Sequence, residues 1–138
     1  MITSAGVTDV GLTHIALEVS DLDESIAFYA TFAALQVVHR RSGVVWLGDQ
    51  IRPFVIVLIA SDRIDSRLRP AAHLGVACTT RDEVDRLAER ARAEDRLISG
   101  PKDAGPPVGY WVFLRDPDGH TLELSYGQEV GTTVSGTA

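Results

Sequence analysis

Thiol chemistry is almost missing from this chain, which has one cysteine, Cys78, in 138 residues. No internal disulfide can form, and a cysteine-rich zinc site is excluded with it. Long apolar runs are also missing. The longest, Phe54 to Ala60, is seven residues, against about 20 for a helix that spans a bilayer. Met1 to Asp9 has neither the basic cluster nor the apolar stretch of a targeting segment, so a soluble, cytoplasmic protein is expected. Positive charge is in deficit: 13 Lys and Arg stand against 19 Asp and Glu, a net charge of -6. That balance is a poor match for nucleic-acid phosphate or an anionic membrane, and neither is an expected partner. What is present is ordinary for a packed domain. Hydrophobic residues are 45% and charged residues 23%, which excludes a disordered or collagen-like chain. Four His and many carboxylates remain, so a bound metal would be held by nitrogen and oxygen.

Leu12 to Val19 alternates apolar and polar residues and reads as a strand. Ser20 with Asp23 has the spacing of a capping box. Leu22, Ile26, Tyr29 and Ala33 then recur at helical spacing, which predicts an amphipathic helix over 22–35. Residues 36–41 and 44–47 read as a hairpin around Ser42-Gly43. Pro53 opens an apolar strand, Phe54 to Ile59, expected to be buried on both faces. Residues 61–70 are polar, end in proline and read as a linker. The order then repeats. Ala72 to Cys78 is a strand, Thr80 and Glu83 form a second capping box, and 81–95 is a helix. Residues 97–99 form a short strand. Residues 100–109 are too rich in Gly and Pro for regular structure and read as a loop. Tyr110 to Leu114 and Thr121 to Tyr126 are strands joined by a tight turn at 116–119. The tail from Gly127 is expected to fray.

Each half therefore reads strand, helix, three strands, and each opens with a His at the second position of a strand segment (T-H-I-A-L-E-V and A-H-L-G-V-A-C). One βαβββ unit cannot cover both faces of its sheet, whereas two placed side by side can. The predicted fold is α+β: two paired βαβββ modules forming an open, cup-shaped, eight-stranded mixed sheet with helices on the outer face. A single domain spans 10–127, with module one at 10–60, the linker at 61–70 and module two at 71–127. Residues 1–9 and 128–138 are expected to be flexible termini.

Strand parity then picks out candidate ligands. Helices pack on the apolar face of each strand: Ile15, Leu17 and Val19 in the first, Leu74, Val76 and Cys78 in the fifth, Leu122 and Leu124 in the last. His14, His73 and Glu123 point the other way, into the cup. Two imidazoles and a carboxylate on rigid strands are the donor set of a facial triad. It favours Fe2+ or Mn2+, with Zn2+ or Ni2+ behind them. A lone strand His is more often a surface or hydrogen-bonded residue, but two at matching positions with a Glu of matching parity favour the metal. Glu123 lies between two leucines and is costly to bury without a partner. Glu18 is expected to face solvent, His39 lies outside the cluster, His120 is structural, and Cys78 is a small core residue.

The element order, His14, S-D-L-D-E-S-I-A-F-Y (20–29), His73 and D-P-D-G-H-T-L-E-L (116–124) together resemble the vicinal oxygen chelate superfamily. Its members include glyoxalase I, extradiol dioxygenases, methylmalonyl-CoA epimerase, fosfomycin-resistance transferases and bleomycin-binding proteins. The resemblance covers about residues 10–127. It implies the paired βαβββ fold, metal ligands at His14, His73 and Glu123, and a metal that polarises two adjacent substrate oxygens. There are departures. Glyoxalase I has a fourth ligand on the last strand of its first module, where residues 54–59 here offer none. Extradiol dioxygenases place Tyr where this chain has Phe113, and a His upstream that 101–112 lacks. No Arg follows Glu123, unlike the fosfomycin enzymes, although Lys102 and Tyr110 are partial counterparts of their anion pocket.

Trp46, Phe54, Val57, Trp111 and Phe113 would supply apolar walls, and Lys102 and Tyr110 polar contacts, to a substrate pocket. Trp46 and Trp111 read equally as core residues, and Lys102 as a solvated surface residue. The expected function is a divalent-metal-dependent enzyme on a small substrate with vicinal oxygens, glyoxalase- or dioxygenase-like. The alternative is a non-catalytic drug- or metabolite-binding protein of the bleomycin-resistance type. A homodimer is expected, and the cup forms either within one chain or across two.

Overall fold

A computed structural model describes residues 11–136. The elements are β1 (His14–Val19), α1 (Leu22–Ala33), β2 (Gln36–Arg41), β3 (Val44–Gly48), β4 (Val55–Ala60), β5 (Leu74–Ala77), α2 (Arg81–Ala93), β6 (Leu97–Asp103), β7 (Tyr110–Arg115), β8 (Thr121–Tyr126) and α3 (Val130–Ser135). The paired βαβββ architecture is present. The eight strands fall into two four-stranded sheets, β1-β4-β3-β2 and β5-β8-β7-β6, rather than one continuous sheet. In each, the first strand runs parallel to the last and the other pairs are antiparallel. β1 and β5 each keep one open edge, because among the described residues no strand of one module pairs with a strand of the other.

The junction of the modules follows from the apolar stripes. α1 buries Phe28, Tyr29, Phe32 and Ala33, and α2 buries Val84, Leu87, Ala88 and Ala91. With Leu17, Val19, Leu47, Leu58, Val112, Leu114, Leu122 and Leu124 from the strands they form one continuous core. Arg96 of module two lies 5.4 Å over the Phe28 ring and 3.8 Å from Glu24. Both sheets thus turn their helix sides to a common core. Their other faces, carrying the alternate residues, are directed away from it.

The two helix starts differ in a telling way. Thr80 caps α2, accepting from the Glu83 N–H at 3.1 Å, while the Glu83 side chain turns to Arg86. The cap of α1 is Asp21, which accepts from the Glu24 N–H at 3.1 Å, and not Ser20. The Ser20 hydroxyl donates instead to Asp118 at 2.6 Å, a contact between modules. Asp118 lies in a turn organised by Asp116. One Asp116 oxygen accepts from the Asp118 and His120 N–H groups at 2.9 Å, and the other from the buried Tyr29 hydroxyl at 2.7 Å. Burial pushes the Tyr29 phenol well above its ordinary pKa, and the Asp116 charge adds to the shift.

Three segments depart from expectation. β4 is not buried on both faces: Phe54, just before it, and Ile59 are 38% and 39% exposed. β6 runs to Asp103 where a loop is expected from residue 100. Register shifts on either side of Ser99 absorb the irregular residues, and Gly100 supplies a φ of +92° where a Cβ would lie 2.7 Å from the Trp111 carbonyl oxygen. The tail forms α3 over Val130–Ser135. The expectation for residues 1–9 lies outside the described residues. The linker 61–70 has no regular structure but is strapped down. Arg67 donates to the Asp118 carbonyl at 2.7 Å, and Thr121 N–H donates to the Leu68 carbonyl at 2.6 Å. Glu18 is drawn into the strap rather than into solvent, accepting from Asp65 N–H at 2.9 Å.

Candidate functional site

β8 sits between β5 and β7, and its register sets Glu123 beside Gly75 and Phe113. His73 immediately precedes β5 instead of lying within it. Its Nε2 is 3.6 Å from Glu123 Oε1, and its Nδ1 is 2.8 Å from the Pro70 carbonyl oxygen. A carbonyl only accepts, so Nδ1 carries a hydrogen, and the ring is held with its Nε2 toward the carboxylate. Glu123 is 6% exposed. Its other oxygen accepts from the Gln128 amide at 3.3 Å. A buried carboxylate oxygen and an imidazole nitrogen therefore converge on one point. The 3.6 Å gap is too long for a hydrogen bond. It is shorter than two metal–donor bonds of roughly 2.0–2.2 Å laid end to end, so one cation can satisfy both atoms. Nitrogen and oxygen donors, with the imidazole fixed by a backbone carbonyl, suit the divalent ion that the sequence implies.

His14 is elsewhere. It is exposed at the start of β1, with Nδ1 2.8 Å from the Thr13 hydroxyl. Its register with Val55, and that of Ala16 and Trp46 with Val57, put these residues on the face of the first sheet turned away from the core. Among the described residues no group of three or more His, Cys, Asp or Glu is placed to hold a metal ion. One chain thus assembles His73 and Glu123, while His14 stands on the open face of the other module.

The expected pocket residues separate in the same way. Phe113 lies 4.9 Å from the His73 ring and 4.6 Å from Trp111, between centroids. Lys102 pairs with Trp111 across β6 and β7, its Nζ 5.8 Å from the indole. These three residues share the His73–Glu123 face. Trp46 and Val57 lie with His14 on the first sheet, and His39 packs on Trp46 at 4.9 Å. Neither tryptophan belongs to the core. Phe54 lines a cavity of about 420 Å³ between the modules, with Leu35, Leu47, Ile56 and β5. Tyr110 is directed to α2, where its hydroxyl donates to Asp85 and Arg81 covers its ring. The Asp85 bond raises the phenol pKa. Gln128 carries no sequence signal, since it lies in a tail with no pattern. His120 is structural, as expected, and fully buried. Cys78 packs against the core, and burial raises its thiol pKa.

Residues 11–124 match the family model of the Glyoxalase/Bleomycin resistance protein/Dioxygenase superfamily. The chain belongs to this superfamily. Within it, an uncharacterized protein of Pseudomonas aeruginosa is 42% identical over 127 residues, which cover 87% of this chain and 91% of that protein. The lactoylglutathione lyase of Salmonella typhimurium is 27% identical over 131 residues, covering 87% and 95%. Among solved structures, the fosfomycin resistance protein FosX of Listeria monocytogenes superposes with a TM-score of 0.70 at 23% identity, covering 87% of this chain and 95% of that one. FosX has been crystallised with Mn(II). At that identity the likeness concerns the superfamily fold alone.

Proposed function

We propose that this superfamily member is a divalent-metal-dependent enzyme acting on a small substrate with vicinal oxygens, glyoxalase- or dioxygenase-like. In this reading two copies of the chain form each site: one supplies His73 and Glu123, and the other supplies His14. The observation that carries it is the buried Glu123 carboxylate with His73 Nε2, on a more exposed ring, turned to it at 3.6 Å. Fe2+ or Mn2+ suits the donors best, ahead of Zn2+ or Ni2+. When bound, such an ion supplies Lewis-acid polarisation of adjacent substrate oxygens. The chain's own residues do the rest. Pro70 holds the His73 ring, Gln128 holds the free oxygen of Glu123, and Trp111 with Phe113 gives the same face an apolar wall. Lys102 can pair with an anionic group of the substrate. Phe113 can neither give nor take a proton, so weak or no turnover of simple catechols is expected.

Metal content after anaerobic purification tests this reading. The wild type is expected to retain stoichiometric metal, and His73→Ala to lose it. A metal-free wild type that binds an aromatic anion would favour the second reading, a non-catalytic binding protein. The Trp111–Phe113 pair and Lys102 offer contacts for that without a metal.

A further inference from the structure

We propose that His120 is a positioning residue for His73, acting through the strap between the modules. It takes His73 as a metal ligand from the reading above.

His120 is fully buried immediately before β8. Its Nδ1 accepts from the Leu68 N–H at 3.0 Å, so its Nε2 carries the hydrogen and donates to the Glu18 carbonyl at 2.8 Å. One imidazole thus ties β8, the end of β1 and the strap. The next residue doubles the tie, since Thr121 N–H donates to the Leu68 carbonyl. Leu68 is therefore held from both its N–H and its C=O. Two residues on, the Pro70 carbonyl fixes Nδ1 of His73. The orientation of that ring is inherited from a short, otherwise irregular segment whose place is set by His120. Without the imidazole acceptor, the part-buried Leu68 N–H is left unpaired, and residues 68–70 lose one of two anchors. The Pro70 carbonyl then no longer selects one tautomer of His73, and its Nε2 no longer faces Glu123.

Two variants separate this role from bulk stability. His120→Leu fills the space and makes neither bond. His120→Asn keeps an acceptor at the Nδ1 position, toward Leu68, and gives up the reach to Glu18. The readouts are the imidazole 15N spectrum of metal-free protein, with His73 assigned by loss in His73→Ala, and Mn(II) affinity by titration. At a pH where the His73 ring is neutral, the wild type is expected to show it protonated at Nδ1 alone. His120→Leu is expected to show mixed His73 tautomers and Mn(II) binding weaker by roughly 10- to 100-fold. His120→Asn is expected to recover most of both, even if its melting temperature is as low as that of the Leu variant. A His120→Leu protein with a single His73 tautomer and unchanged Mn(II) affinity would overturn the proposal. So would a folded His120→Asn protein with mixed tautomers. If the wild type takes up no Mn(II), the metal reading fails, and the His73 tautomer in the two variants still decides the positioning role.

Discussion

Chains carrying His14→Ala, mixed with chains carrying His73→Ala, are expected to regain metal that neither variant holds alone. The reason is geometric. His14 is on the open face of one sheet and the His73–Glu123 pair on the open face of the other, both turned from a common helix-side core. A two-fold dimer in which the first sheet of one copy faces the second sheet of the other brings the three donors together twice. In a mixed dimer, one site lacks both histidines and the other is intact. Random pairing makes about half of the dimers mixed, so about a quarter of the wild-type metal capacity should return. Metal analysis of the mixture after subunit exchange, with sedimentation to establish the dimer, is the measurement. A mixture that holds no more metal than its separate components would sink the two-copy site.

The second large effect concerns stability. Asp116→Ala is expected to destabilise the fold by about 3–5 kcal/mol, because it removes one buried charged acceptor from three donors at once. For a chain of this size that is a fall in melting temperature of roughly 10–20 °C. Tyr29→Phe breaks only one of the three bonds and is expected to cost about 1.5–3 kcal/mol. The two variants also separate in pH dependence. The Tyr29 phenol titrates near its ordinary value of about 10 in the unfolded chain and higher in the folded one. Its contribution is fully present below about pH 10 and is lost as pH rises from there toward the folded value, since the unfolded state releases the proton first. Urea unfolding at pH 8 and above pH 10 should show an alkaline loss in the wild type that is smaller in Tyr29→Phe. An identical alkaline slope in both would mean that Tyr29 is not the titrating group.

Much of this architecture can be read from alternation alone. Leu122 and Leu124 face the helices because a sheet has one side to bury, and Glu123 is then committed to the opposite face. The same rule also separates two residues that the sequence groups with the pocket. Tyr110 shares the parity of the buried Val112 and Leu114, and Phe54 that of Ile56 and Leu58. Both lie on the helix side, as that parity requires. Other features had no local signal. Ser20 and Asp21 are equally good caps, and only the distant Asp118 decides between them. β6 extends through Gly100 and Pro101 because pairing with β7 outweighs poor strand propensity. Whether the cup forms within one chain or across two is not encoded in residue spacing along one chain.

The shared helix-side core has a consequence for how this protein can change. Residues packed in the core and residues on the open faces alternate along the same strands. On the proposed reading, a substitution at Trp46, Trp111 or Phe113 would alter what the open faces recognise while sparing the helix-side core. Chemistry can therefore drift one strand position at a time, with folding as a separate ledger. The strap and the 116–119 turn are the exception. There a single change reaches both modules, and the sequence has little freedom to wander.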